Sequence, residues 1–428
     1  MRVLIVGASG LIGSALAGRL AAQGHSVVSV TRSGRKIGLI DAVAVQIDVA
    51  AATEISDWLP VLRDVDAVVN CAGVLQDSPR DSTTGVHVSG ISALFQACEK
   101  AGVRRVIHLS AVGVERETPT EFSRTKLAGD KALMERDLDW IILRPSVVVG
   151  RAAYGGSALF RGLAALPIQP VMAGTGPLQI VHLDDVIDTI VFFLRPDAPA
   201  RQVLDLVGPR SWSFDEVVRL FRKWLRWPPA RTWQVPDALA SVLYKAGDLI
   251  SLLGWRPPIR STARREIVRG AVGNARPLAA LGLNPRDLET SLMAEPASIQ
   301  ERWFAQLYFV KPLLFVVVVL FWVSTGLISL GPGWEIGMGL MREGGVGERM
   351  GALAVISGAL SDIVIGVAIA YRPTSRYGLY AALTISVAYA IIGTILVPRL
   401  WSDPLGPMLK IWPIMVLHLV ALGILEDR

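Results

Sequence analysis

Cysteine is nearly missing from this chain: 428 residues hold two, Cys71 and Cys98. Two thiols cannot build a disulfide framework, and no Cys/His spacing suggests zinc, so no metal is expected and a reducing compartment fits. The first residues lack the charged, apolar and small-residue regions of a secretory signal, so the globular part is expected to stay in the cytoplasm. No Gly-Lys-Ser/Thr follows the glycines near the start, which disfavours a triphosphate-binding loop. A net charge of +6 comes without any recognisable nucleic-acid-binding module, so an anionic membrane face is preferred over nucleic acid as its partner. What the chain has in excess is apolar residues, 52% of the total with a mean hydropathy of +0.45. That exceeds the need of soluble domains and is concentrated after Lys311, and the length allows two or three domains.

The first thirteen residues, MRVLIVGASGLIG, organise the rest. Arg2 to Val6 reads as a buried parallel strand that stops at Gly7. Gly7, Gly10 and Gly13 recur every third residue as the pattern turns helical, with Leu11, Ile12, Ala15, Leu16 and Leu20 on one side. Gly7 allows the bend, Gly10 lets main-chain N–H groups approach a pyrophosphate, and Gly13 lets the helix pack on the strand. Phosphates would sit at the positive end of the helix dipole. A strand, a glycine turn and a helix at this position favour dinucleotide binding over a ligand-free turn.

Further strands are expected at Ser26 to Thr31, Val43 to Ile47, Ala67 to Val69, Val106 to Leu109 and Trp140 to Leu143, with a helix over Gly85 to Ala101. This alternation implies a parallel sheet with helices on both faces and ligand groups at the strand carboxyl ends. Arg32, with Arg35 and Lys36 behind it, stands where a basic residue accommodates a 2′-phosphate, which favours NADP(H) over NAD(H); the alternative is a set of solvated loop cations. Asp48 and Val49 are placed to meet the adenine, and Cys71, Ala72 and Gly73 are small enough to lie against the cofactor.

GASGLIG, IDV, NCAG, LSAVG and LRPSVVVG, in this order, resemble the extended or atypical branch of the short-chain dehydrogenase/reductase family over roughly the first two thirds of the chain. The likeness is closest to relatives that include the nucleotide-binding accessory subunit of respiratory complex I. It implies cofactor contacts from Gly7, Ser9, Gly10, Leu11, Ile12, Gly13, Arg32, Asp48, Val49, Cys71, Ala72, Gly73, Lys126 and Pro145. It also implies that Ser110 polarises a carbonyl and that Lys126 holds the nicotinamide ribose. The family's Tyr-x-x-x-Lys reads Phe122-Ser123-Arg124-Thr125-Lys126 here, so the lysine is kept and the phenol that exchanges a proton is gone. His87 and Tyr154 are the nearest replacement donors by segment; a hydrogen-bonded structural histidine and a pocket-lining tyrosine are the competing readings.

Past Gly150 the resemblance implies a small substrate lobe, tied to the sheet by Val181 to Val186, with structural service for Asp184 and Asp185. Ser213 to Glu216 has capping-box spacing before a helix through Leu225. Arg219, Arg222, Lys223 and Arg226 with Trp224 and Trp227, and an apolar helical spacing from Leu239 to Leu253 followed by Arg260, Arg264, Arg265 and Arg269, suit either a membrane surface or a helix packed on the lobe. Spans are expected near Pro312 to Leu330, Met350 to Tyr371, Tyr377 to Val397 and Leu405 to Leu425. The cation bias of Lys311, Arg372, Arg376 and Arg428 agrees with both termini inside. This quarter resembles the DoxX-like membrane domain. Asp362 and Lys410 fall within expected spans, where a functional role for Asp362 competes with mutual pairing.

The expected architecture is α/β: a doubly wound parallel Rossmann sheet (1–150) with a small substrate lobe and basic connector (151–300), followed by an all-α four-helix transmembrane domain (301–428). The expected function is a membrane-anchored NADP(H)-binding oxidoreductase in the inner (cytoplasmic) membrane, acting on a lipid-soluble carbonyl or quinone. The alternative is a non-catalytic cofactor-binding sensor or assembly protein.

Overall fold

The computed structural model describes residues 1–34, 38, 42–79, 81–117, 119–255, 257 and 259–426. Two compact units are present, one of Met1–Leu249 with Pro257–Gln306, the other of Ile250–Arg256 with Leu307–Arg428.

In the first unit the strands are β1 (Arg2–Val6), β2 (Ser26–Thr31), β3 (Ala42–Gln46), β4 (Ala67–Asn70), β5 (Arg105–Leu109), β6 (Asp139–Pro145), β7 (Val148–Val149), β8 (Ile168–Val171), β9 (Val181–His182), β10 (Gln202–Leu206) and β11 (Arg231–Gln234). Seven form one parallel sheet in the order β10-β6-β5-β4-β1-β2-β3. The run Val3 to Val6 is fully buried because helices cover both faces, and period two divides it: Val3 and Ile5 join one core, Leu4 and Val6 the other.

The first core is closed by α1 (Leu11–Ala22) and, later in the chain, by Val186, Ile190 and Phe193. The second holds Trp58 of α2 (Ile55–Trp58), Leu94 and Phe95 of α3 (Gly90–Ala101) and Leu133 of α4 (Glu121–Met134). The expected helix over 85–101 opens instead with a π-helical turn, Gly85–Ser89. β10 was not expected from sequence: it is a short edge strand whose Gln202 and Asp205 interrupt the apolar run, although Leu204 and Leu206 are buried.

The lobe contains α5 (Gly155–Ala165), α6 (Leu183–Phe193), α7 (Phe214–Trp224), α8 (Asp237–Leu252), α9 (Ser261–Arg269), α10 (Arg276–Ala280) and α11 (Leu288–Ala294). β7 pairs with β9, and Asp185 accepts from Arg286 Nε at 2.8 Å, so the Val181 to Val186 segment and Asp185 are structural. The capping box forms, with Glu216 N donating to Ser213 Oγ at 3.3 Å. Arg222 is buried and donates to the Ala164 and Leu166 carbonyls, while Trp224 Nε1 donates to Glu295 O, so these residues of α7 pack inward.

The second unit contains α12 (Ile299–Leu330, begun in the first), α13 (Trp334–Glu343), α14 (Glu348–Ala370), α15 (Ser375–Leu396) and α16 (Ile411–Ile424). Three of these, α12, α14 and α15, are long and apolar enough to cross a membrane among the described residues. The segment of the fourth expected span forms a shorter apolar helix: Pro404, Gly406 and Pro407 keep residues 405–410 out of it, and α16 has 14 residues. Lys410 is thus an exposed cap, and the competing reading, an Asp362–Lys410 pair, is not met among the described residues; buried Asp362 accepts from Tyr389 Oη at 2.9 Å. Large apolar side chains face outward, among them Leu320, Val364 and Ile395, as lipid-facing helices require. Glycines bring the helices together: a Cβ on Gly326 would lie 2.4 Å from Ala359 O.

Helix α3 sits as close to the chain after β3. A Cβ on Gly90 would stand 1.8 Å from Val49 O, so Gly90→Ala is expected to destabilise the full chain by about 1–3 kcal/mol or more. Thermal unfolding beside Gly339→Ala, whose Cβ meets nothing within 4 Å, checks this; equal midpoints for the two variants would contradict it.

Candidate dinucleotide site

The turn after β1 leaves no room for side chains. Gly7 has φ +74°, and a Cβ there would lie 2.8 Å from Ala72 N; on Gly13 it would lie 2.4 Å from Gly7 O. Gly10 N donates to Gly7 O at 3.0 Å, and no side chain among the described residues caps α1, so its opening N–H groups at Leu11 and Ile12 stand beside Ser9, which is exposed. A Cβ on Gly10 would touch just Gly7 O, at 3.3 Å. This bare, positive helix end is the cradle a pyrophosphate needs.

The neighbouring strand ends converge on the same edge. Cys71 N donates to Val6 O at 2.9 Å, and Ala72 N to Asn70 Oδ1 at 3.1 Å. Desolvation pushes the Cys71 thiol up to about 12, which removes it as a neutral-pH nucleophile. Lys126 is buried and donates to Ala72 O at 3.3 Å and Leu109 O at 2.8 Å, tying the ends of β4 and β5 together beside Gly73. Its burial brings the ammonium down to about 8 against the pull of Asp130 and Cys71. Pro145 is buried at the end of β6, where its carbonyl accepts from Val112 N at 3.2 Å.

Ser110 Oγ is buried, and among the described residues no group meets it at hydrogen-bond geometry; Asp130 is its charged neighbour. Behind it runs a polar chain that sequence reasoning missed. Asn70 Nδ2 donates to His108 Nδ1 at 3.0 Å, His108 Nε2 lies 3.4 Å from Asp130, and Arg144 bonds both Asp130 at 2.9 Å and Glu115 at 2.8 Å. Burial lowers the His108 pKa and keeps the ring neutral. Burial alone would raise the Asp130 carboxyl, but His108, Ser110 and Arg144 outweigh it and hold it low. Phe122, Lys126 and Asp130 are spaced four apart on α4, a periodicity that could have revealed Asp130.

The expected donors are held otherwise. Val74 N donates to His87 Nε2 at 3.0 Å, and His87 Nδ1 meets Thr125 Oγ1 at 2.9 Å, so both ring nitrogens are engaged. Burial, then the charge of Lys126, drives its pKa down to about 2. Phe122 stands edge-on to this ring at 5.7 Å. Tyr154 is exposed at the start of α5. Arg32 is exposed and pairs with Asp81 at 3.0 Å; Arg35 and Lys36 lie outside the described residues. Asp48 is exposed, its carboxylate accepting from Ala50 N at 3.1 Å, and Val49 is buried.

Residues 7–160 match a family model described as NAD(P)H-binding, and residues 319–419 one described as DoxX-like. The UDP-glucose 4-epimerase of Mycolicibacterium smegmatis is 31% identical in an alignment that covers 47% of this chain and 74% of that protein. The chain belongs to the NAD(P)-binding, short-chain dehydrogenase/reductase-like family. Within it, the photosystem II assembly factor Ycf39 of Synechocystis sp. is 27% identical (56% of this chain, 72% of the relative). The 40 kDa mitochondrial NADH-ubiquinone oxidoreductase subunit of Neurospora crassa is 24% identical (66% and 76%), which agrees with the likeness to a complex I subunit. The structure of UDP-glucuronic acid 4-epimerase from Bacillus cereus with NAD and UDP-glucuronic acid shares the fold, with a TM-score of 0.53 at 18% identity, covering 72% of this chain and 100% of that one. A nicotinamide cofactor is the ligand these family members imply, and the glycine cradle fits it.

Lys126 gives the site a pH signature. Between about 8 and its unfolded value near 10.5, the folded state binds fewer protons than the unfolded one, so stability rises with pH through that window. The gain is up to about 3 kcal/mol. Chemical unfolding of the detergent-solubilised chain from pH 7.5 to 10.5 checks it: the rise is expected in the parent and absent in Lys126→Met. An identical slope in both would contradict it.

Proposed function

We propose that the protein is a membrane-anchored NADP(H)-dependent oxidoreductase that acts on a lipid-soluble carbonyl or quinone, with its amino-terminal unit on the cytoplasmic side of the inner membrane. The observation that carries this reading is buried Lys126 at the carboxyl ends of β4 and β5, beside a buried Ser110 hydroxyl whose charged neighbour is Asp130. A reduced nicotinamide bound at this edge would supply a hydride to the electrophilic carbonyl carbon of the substrate, whose oxygen then takes a proton. Gly7, Gly10 and Gly13 with Leu11 and Ile12 would cradle the pyrophosphate, and Lys126 would hold a ribose hydroxyl. Ser110 Oγ would donate to the substrate oxygen. Lys126, which loses its proton near pH 8, is the acid the site keeps in place of the missing phenol, and water would return that proton. The bundle of outward-facing apolar helices supports a substrate delivered from the bilayer, and the cations Lys311, Arg372 and Arg376 support the orientation.

Arg32 carries the preference for the phosphorylated cofactor. A 2′-phosphate would take the guanidinium from Asp81, exchanging one charge-assisted bond for another. Arg32→Ala is expected to weaken NADPH binding by about tenfold while leaving NADH unchanged. Equal losses for both nucleotides in a fluorescence titration would contradict the preference.

Phe122 supports a second reading, a cofactor-binding assembly or sensor protein without turnover, and one relative bears the name of an assembly factor. NADPH oxidation by the full-length protein in nanodiscs, over a panel of quinones and polyprenyl carbonyls, separates the two. The enzyme reading expects the parent to turn over. Turnover in Phe122→Tyr alone would assign the natural protein to binding.

A further inference from the structure

Helix α8 divides into three sectors. Ala240, Tyr244 and Gly247 are buried, and a Cβ on Gly247 would stand 1.7 Å from Ile259 O, so this face lies hard against the chain leading to α9. Ser241, Lys245 and Asp248 make a polar edge; Lys245 is exposed, and Asp248 accepts from Gln76 Nε2 at 3.2 Å and from Ser261 N at 3.2 Å. The third sector, Leu239, Val242, Leu243, Ala246 and Leu249, spans an arc of roughly 120° at helical spacing. It is exposed throughout, with Val242 at 62% and Leu249 at 67%.

Such a stripe is too regular to be scattered surface residues and marks a contact with a membrane or another protein. Its neighbours have the composition of a membrane interface. β11 follows the lobe into α8 and pairs with β8 so that Ile168, Pro170, Arg231 and Trp233 share one side of the two-stranded sheet; Ile168 and Trp233 are about half exposed, and Arg231 is exposed. Tryptophan beside arginine is the pairing found at headgroup depth. At the other end, the chain that leaves α8 belongs to the helical unit. Arg372 N donates to Leu253 O at 3.0 Å, Trp255 Nε1 donates to Ala370 O at 2.7 Å, and the Trp255 ring packs on Phe315 at 4.8 Å. The stripe therefore runs on, along the sequence, into a segment packed among the apolar spans.

We propose that α8 is an interfacial helix whose Leu239, Val242, Leu243 and Leu249 enter the acyl–headgroup boundary of an anionic bilayer, with Lys245 and Arg231 at the phosphates. This rests on the reading of the second unit as membrane-spanning. The occupant is lipid rather than a second protein because the stripe continues into a segment of the helical unit and because the exposed cations Lys245 and Arg231 flank it, while Asp248 is engaged by Gln76 and Ser261 and Asp237 lies 3.9 Å from Arg264. Within the first unit α9, which follows the chain that packs on Gly247, reaches the start of the site helix: Arg269 Nη1 donates to Ser123 Oγ at 2.9 Å.

Nitroxide labels on the full-length protein in nanodiscs of phosphatidylglycerol and phosphatidylcholine test this. Single cysteines replace Val242, Lys245 or Val316, with Cys71 changed to alanine and buried Cys98 left in place. The expected result is a ratio of oxygen to nickel-chelate accessibility several-fold higher at Val242 than at Lys245, approaching that at Val316, which is half exposed on α12. A Val242 label open to the nickel chelate while the Val316 label is closed to it overturns the interfacial helix alone. A Val242 label closed to both quenchers means that protein covers the stripe, and this too overturns it. Nickel access at Val316 as well would remove the membrane reading on which the proposal stands.

Discussion

No Cβ fits at the end of β1, and the rest of the site follows from that. Gly7 lies against the backbone of Ala72 and Gly13 lies against Gly7, so strand β1, the end of β4 and the start of α1 meet at contact distance. The close approach sets the N–H groups of α1 bare at the carboxyl edge of the sheet, where β1 separates the strands that run outward on either side. A side chain at either position would push the helix away and close the cradle.

The second constraint is a charge kept inside. Lys126 donates to the carbonyls of Ala72, just past β4, and Leu109, at the end of β5, in a place where an ammonium is costly. Asp130 on the same helix, itself held by His108 and Arg144, supplies the compensating charge. Structure and chemistry coincide here: the lysine that ties β4 to β5 is also the group the cofactor ribose and a transferred proton would need. Loss of the neighbouring phenol leaves this arrangement intact, since Phe122 fills its place against the His87 ring.

The sheet was legible because its strands are nearly continuous apolar runs ending in glycine, asparagine or serine, and because the glycine spacing has a mechanical cause. Gly7 lies against Ala72 and Gly13, and Lys126 donates to Ala72 O. What stayed hidden depends on pairing across the fold. Nothing local says that His108 and Asp130 face each other, that Asp81 pairs with Arg32, or that Asp362 meets Tyr389 rather than Lys410. Hydropathy likewise counted Leu405 to Leu425 as one span, although two prolines and a glycine delay the helix to Ile411. The edge strand Gln202–Leu206 escaped because it buries residues on alternate positions and so lacks the unbroken apolar run of its neighbours.

The central claim is that a nicotinamide dinucleotide lies across the carboxyl edge of this sheet, on the glycine turn. Titration of the full-length protein with NADPH and NADH, read by nicotinamide fluorescence, tests it most directly when run beside Gly13→Val. The account predicts saturable binding in the parent and its loss in the variant, with the variant's helical unit still folded. No saturable binding of either nucleotide by the parent, or equal binding by Gly13→Val, would contradict it.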